Sequence, residues 1–264
     1  MPSVQGFSTS RARSYIFRLP LFTRVIVAII CALWLVGVQS VWDIREFGAL
    51  VPSKINFATA HRLSTFPLIH LNIFHALVNL VALTPLMERF ESEYGTLTTL
   101  ALFFGPLTTV PALAYMLIER FVLHADTAVM GASMWVFLLL GMEAIRTFKS
   151  NPYLVIGTHH IPTWTTPLML IFAVAVLMPG TSLLGHLCGV AMGYIAGLGI
   201  IKYLAPPEWA LRWVETRFNL LSILPHYVSV DQKTYGRFGV LPTNNRAGGS
   251  AATELVGSTQ RLGP

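Results

Sequence analysis

Seven polar or ionisable residues stand in stretches of the chain that are otherwise apolar: His70, Asn72, His75, Asn79, Ser133, Glu143 and His186. A serine hydroxyl is a weak nucleophile until an adjacent base takes its proton, and histidine is a common base for that task. Amide and imidazole N–H groups can hold the charge that develops on a carbonyl oxygen under attack. The set thus contains the parts of acyl-transfer chemistry. Ser133 would be the nucleophile, His186 the general base and acid, and His75 and Asn79 the oxyanion donors, with the Ser133 backbone N–H as a third. His75 and Asn79 are spaced i, i+4 and share one helix face. The nearest carboxylate in the serine's own stretch, Glu143, falls near its opposite end. The spacing therefore points to a Ser–His dyad rather than a triad.

Each residue also has a plainer reading. A lone serine in an apolar helix is often a packing serine bonded to its own backbone. The histidines suit packing, or ligation of a haem or metal, although two histidines five residues apart do not share a helix face well. His124 and the pair His159–His160 fall in loops, where solvation accounts for them.

The elements that must position these groups follow from composition. Of 264 residues, 54% are hydrophobic and 11% charged, and the mean hydropathy is +0.61. Soluble domains carry roughly 25% charged residues, so a water-soluble enzyme, a coiled coil and a disordered chain are all excluded. An all-α, multi-spanning membrane protein remains. A helix needs about 20 apolar residues to cross a bilayer, and six runs qualify: 25–42, 66–87, 96–118, 128–145, 164–178 and 182–203. The fifth is the shortest and lies between Pro162 and Pro179. Residues 1–24 form a basic leading segment, 25–203 the six-span domain and 204–264 a tail. No basic stretch is interleaved with aromatics, which gives no reason to expect nucleic-acid binding. Cys31 and Cys188 sit inside apolar runs, so neither a disulfide framework nor a zinc site is expected.

Of 18 Lys and Arg, only Arg45, Lys54, Arg62 and Arg120 fall on one side of this layout. The positive-inside rule then places both termini in the cytosol. Runs 2, 4 and 6 share one direction. At 1.5 Å rise per residue, Ser133 and His186 lie at nearly equal depth in the outer half of the bilayer. Gly185, Gly189, Gly193 and Gly197 form a stripe at a spacing of four that lets another helix approach closely. Helix packing alone would also account for the stripe; its place beside His186 connects it to the dyad. The stripe should matter most near His186 and least at Gly197. In the tail, residues 207–224 read as an amphipathic interfacial helix or as a short helix of no special role. From about 243 the composition has little to bury and reads as disordered.

At these residues the sequence resembles the rhomboid intramembrane serine proteases. The second run reads His70-LNIF-His75-ALV-Asn79, the fourth contains Gly131-Ala132-Ser133, and the sixth contains His186-LC-Gly189-VAM-Gly193. Arg62 corresponds to the second half of the family's Trp-Arg pair, and Glu91 to Gly95 matches its E-x3-G. Two positions depart: Met134 stands where the family has glycine after the serine, and His61 where it has tryptophan. The resemblance implies a six-helix bundle and an endopeptidase that cuts single-span membrane proteins near the lumenal end of their helices, without a cofactor. It gives His70 and Arg62 supporting roles before the second span, and Gly131 and Gly189 roles in close packing. Met134, the short loops and the RFGVLP run make the chain similar to fungal Golgi rhomboids. That implies a Golgi membrane location and, among substrates, membrane-tethered sterol-regulatory transcription factors. The run Gly236–Leu241 resembles motifs that recruit a hexameric ATPase, with a different glycine spacing. Two readings remain beside the protease: a catalytically inactive rhomboid-like protein that binds membrane clients, and a polar-lined transporter.

Overall fold

The computed structural model describes residues 9–39 and 41–234. The disordered reading from about 243 and the run at 236–241 lie outside the described residues. A short helix α1 (Thr9–Ile16) leads into α2 (Leu21–Val36), and a loop segment carries α3 (Ile44–Gly48) and α4 (Arg62–Thr65). The bundle continues with α5 (Ile73–Tyr94), α6 (Thr96–Phe103), α7 (Pro106–Leu117) and α8 (Ser133–Ser150). A hairpin, β1 (Tyr153–Ile156) with β2 (His159–Pro162), precedes α9 (Thr166–Leu177) and α10 (Leu183–Ile195). The chain ends in α11 (Ile201–Leu204), α12 (Glu208–Arg217) and α13 (Leu220–Ile223).

α8 lies at the centre. Met134 through Leu139 are all buried, as expected of a helix that is apolar on every side. Its Trp135, Leu138, Leu139 and Met142 join one core with Phe22, Ile26 and Ile30 of α2 and Leu83, Met87 and Phe90 of α5. The charged residues Glu143, Arg146 and Lys149 are confined to its last turns. Three helical stretches are long and apolar enough to cross a membrane: Ile73–Tyr94, Thr96–Val122 and Leu183–Leu204. Leu21–Val36 and Thr163–Leu177 are apolar but shorter.

The structure corrects several boundaries. The second run becomes helical at Ile73, not at 66, because Phe66–Leu68 form a 3-10 turn around Pro67 and Asn72 caps the helix proper. Asn72 accepts the His75 N–H through its side chain at 2.8 Å. His70 therefore sits in the loop before the helix. The fourth run starts at Ser133 rather than 128, because Gly131 has φ +108. Ser133 is thus the first residue of its helix, not five residues inside it. The segment at 146–163, read as a loop, contains the antiparallel hairpin. The amphipathic reading at 207–224 resolves into two helices, α12 and α13, parted at Asn219, which adopts a left-handed conformation.

Candidate active site

Ser133, the expected nucleophile, is positioned by the turn at Gly131. The Gly131 N–H donates to the Phe66 carbonyl at 3.1 Å, and the Ala132 N–H donates to His70 Nε2 at 3.2 Å. α8 then begins at Ser133. Gly131 is required twice over: its φ lies in the region that side chains avoid, and a Cβ there would meet His75 Cε1 at 2.6 Å. The first-turn N–H groups of a helix have no intrahelical acceptor, and the helix dipole favours negative charge at that end. Placing Ser133 at a helix start thus gives a developing oxyanion more donors than a mid-helix serine would.

His186 lies in the first turn of α10 and is buried, its ring against Phe137 at 4.5 Å between centroids. α10 packs on α8 backbone to backbone, since a Cβ on Gly189 would stand 2.5 Å from the Met134 carbonyl oxygen. Met134 itself turns its side chain into a cluster with Leu50, Phe66, Ala112, Tyr115 and Cys188. The larger residue after the serine therefore leaves the α8–α10 contact intact. Gly193 and Gly197 are as tight, with a Cβ 2.1 Å from the Leu138 oxygen and 2.8 Å from the Met142 oxygen. The helices stay close along the whole stripe, so a side chain at Gly197 would disturb packing as one at Gly189 would, and the difference expected between the two is one of activity.

His75 and Asn79 are buried on one face of α5. Asn79 donates from its amide to the His75 carbonyl at 2.8 Å, which uses one of its two N–H groups. The His75 ring lies 5.3 Å from that of His70. Both ring nitrogens of His75 and of His186 are buried without a hydrogen-bond partner, so no Ser133–His186 hydrogen bond is closed in this arrangement. Ser133 and His75 line a cavity of about 520 Å³ together with Asn72, Met130, Met178 and Ser182. Its walls come from the α5 start, the 127–133 segment and the 177–182 loop.

Arg62 is buried and donates to the Ala49 carbonyl at 3.4 Å, which ties α4 to the end of α3. His61, in the place of tryptophan, stacks on Phe47 at 4.9 Å. Glu143 pairs with Arg89 at 2.9 Å and with Arg146 at 3.5 Å, away from Ser133. Asn72 was visible in the sequence only as one more polar residue; its role as helix cap and cavity wall follows from the later start of α5. No group of three or more metal-type side chains occurs among the described residues.

The Rhomboid domain family matches residues 58–203. The chain is 68% identical to Rhomboid-type serine protease 2 of Gibberella zeae over 100% of its length and 99% of that protein. It is 58% identical to the protein of the same name from Podospora anserina, over 100% and 99%. Rhomboid-type serine protease B of Aspergillus fumigatus is 56% identical over 98% of this chain and 96% of its own.

Proposed function

This chain belongs to the rhomboid family and is a membrane-embedded serine protease; from that premise we propose a Ser133–His186 dyad that cuts single-span membrane proteins near the lumenal end of their helices. The observation that carries the reading is Ser133 at the start of α8, open to the 520 Å³ cavity, with α10 and His186 pressed against the same helix. In the reaction Ser133 Oγ attacks the scissile carbonyl while His186 takes its proton. The oxyanion is held by the Ser133 N–H, Asn79 and His75. His186 then donates its proton to the leaving amine, and an acyl-enzyme remains. Water, activated by His186, releases the acid and restores the serine. Substrate binding must bring Oγ and the imidazole into hydrogen-bond reach, as is common between a free and a substrate-bound site.

His70 and Arg62 act by fixing the loops around 66–72 and 49–62. The polar excess of Lys and Arg supports six spans with both termini cytosolic. Met134 and the RFGVLP run support a Golgi membrane location, and with it a membrane-tethered sterol-regulatory transcription factor as one substrate. The Gly236–Leu241 run is proposed to recruit a hexameric ATPase. The decisive experiment is labelling of the detergent-solubilised protein with a serine-reactive fluorophosphonate. Wild type should label and Ser133→Ala should not; equal labelling of the two would overturn the assignment.

A further inference from the structure

The end of the bundle farthest from Ser133 carries a second cavity, of about 570 Å³. α5 and the α10–α11 stretch both run away from the serine, so Tyr94 and Lys202 mark that far end. The lining includes three cationic side chains, Lys202, Arg212 and Lys233, and one carboxylate, Glu208. Glu208 already faces two of the cations, Lys233 at 2.5 Å and Arg212 at 3.9 Å. Arg212 also pairs with Asp231 at 2.6 Å. Lys202 makes no ion pair among the described residues; its ammonium stands 4.7 Å over the ring of Tyr203. Glu208 and Asp231, with Glu215 close to Arg212, thus answer Arg212 and Lys233, and Lys202 is the lining cation outside these pairs.

An aromatic face flanks it. Trp209 and Trp213, spaced i, i+4 on α12, are 75% and 62% exposed, and Tyr203 is 76% exposed. The opposite face of α12 is held on the protein through Leu211 and Glu215, both buried. The helix is therefore fixed with its tryptophans outward, only four residues after α11 ends at Leu204. Trp and Tyr concentrate at membrane–water interfaces, and a helix with an aromatic face beside basic residues lies in that plane.

We propose that this face binds an anionic phospholipid of the leaflet farther from Ser133. The α12 tryptophans enter the interface, and the headgroup phosphate sits in the cavity on Lys202, with Arg212 and Lys233 around it. Charge complementarity selects the occupant, since Lys202, without an ion pair among the described residues, stands beside the exposed Tyr203 and the exposed tryptophans of α12. The inference rests on the chain being membrane-embedded and not on its catalytic residues, and its readout is binding.

The test uses the full-length protein in nanodiscs of phosphatidylcholine with or without phosphatidylserine, followed by native mass spectrometry of retained lipid in neutral detergent. Wild type should retain phosphatidylserine in preference to phosphatidylcholine. Lys202→Gln should weaken that preference about fivefold, the effect of one basic residue near an anionic surface. Lys202→Arg should restore it, and Lys54→Gln, on the Ser133 side, should leave it unchanged. Lys202 is exposed, so the Gln variant should fold; unchanged thermal stability checks this. Equal retention by wild type and Lys202→Gln would overturn the proposal. So would full displacement by soluble glycerophosphoserine, which would mark a site for free phosphates. Capture of an acidic protein with no lipid preference would also overturn it, by making the face a protein-binding one.

Discussion

The two ends of the bundle treat buried polar groups in opposite ways. At the Ser133 end, His75 and His186 each leave both ring nitrogens buried and unpartnered, and His70 leaves Nδ1 so. At the far end, the fully buried Glu91 accepts from the Phe22 and Thr23 N–H groups at 2.8 Å each, and from the Thr23 and Thr96 hydroxyls at 2.8 and 2.7 Å. Arg146 pairs with Glu93 at 2.8 Å. Glu215 accepts from the Tyr227 hydroxyl at 2.8 Å and the Val230 N–H at 2.9 Å. Arg24 Nε is the far end's exception. A buried polar group left unpaired costs about 1–3 kcal/mol. The far end, where Glu91 joins α2, α5 and α6, is built to offset that cost. The Ser133 end leaves it standing at His70, His75 and His186.

The comparison predicts a double dissociation, and its largest effects come first. Ser133→Ala should remove substrate cleavage, by roughly 10⁵-fold or more as for other nucleophile deletions, and leave the melting temperature unchanged. Glu91→Ala should do the reverse. It strips two backbone N–H groups of α2 and two hydroxyls of their acceptor, a loss of about 3 kcal/mol, while cleavage per folded molecule stays near wild type. Cleavage assays and thermal melts on the same preparations check both. A Glu91→Ala variant that melts normally but cleaves poorly would break the division between the ends.

Asn79 sharpens the comparison because it belongs to both economies. One amide N–H bonds to the His75 carbonyl, and the proposed role assigns the other to the oxyanion. Asn79→Ala should slow turnover by ~10²–10³-fold if it loses a typical oxyanion donor, with little change in KM. A purely structural asparagine would instead lower stability by about 1 kcal/mol and leave turnover per folded molecule intact.

The glycine stripe gives a smaller, graded effect. Gly189→Val must push the Met134 carbonyl away, beside the nucleophile, and a displacement of ~1 Å can lower the rate ~10²-fold. Gly197→Val meets Ile145 and the Met142 oxygen, more than two helical turns from His186, and should lower stability while sparing specific activity. Measuring specific activity against melting temperature separates the two. Equal specific activity in Gly189→Val and wild type would show that the stripe serves packing alone.

The candidate site was legible because its residue types are unusual where they stand: imidazoles and amides are costly in apolar runs, so their spacing carries information. What composition could not show was where backbone geometry interrupts an apolar run. Hydropathy treats 128–132 and 133–145 alike, yet Gly131 reverses the chain between them and makes Ser133 a helix start. Likewise Pro67 and Asn72 keep 66–72 out of α5, which moves His70 into a loop where its ring accepts the Ala132 N–H. The far-end network was nearly invisible. Glu91 showed only as part of a motif, and its partners at Phe22 and Thr23 are about 70 residues distant. The hairpin at 153–162 was missed because its exposed strands bury too little to leave a periodic signal.

The smallest effect tests whether the tail belongs to the far-end network. Beyond α13 the chain returns to the bundle: the Leu21 N–H donates to the His226 carbonyl, and the Thr96 N–H to that of Val228, each at 2.9 Å. Tyr227 anchors this return through Glu215. Burial, and then the Glu215 carboxylate, hold its phenol protonated well above the ordinary value of 10. The contact is therefore fully in force below pH 10 and is lost only as the pH climbs through the raised value. Tyr227→Phe keeps the ring and removes the hydroxyl. Glu215 still accepts from Val230, so no carboxylate is orphaned, and the loss should be about 1–2 kcal/mol. Hydrogen exchange should quicken at Val228 and Val230, whose N–H groups bond to Thr96 and Glu215, while cleavage per folded molecule stays unchanged. Unaltered exchange would mean that the tail is held by its backbone contacts alone. A fall in specific activity would mean that the far end reaches the serine after all, through α5, the helix that carries both Glu91 and His75.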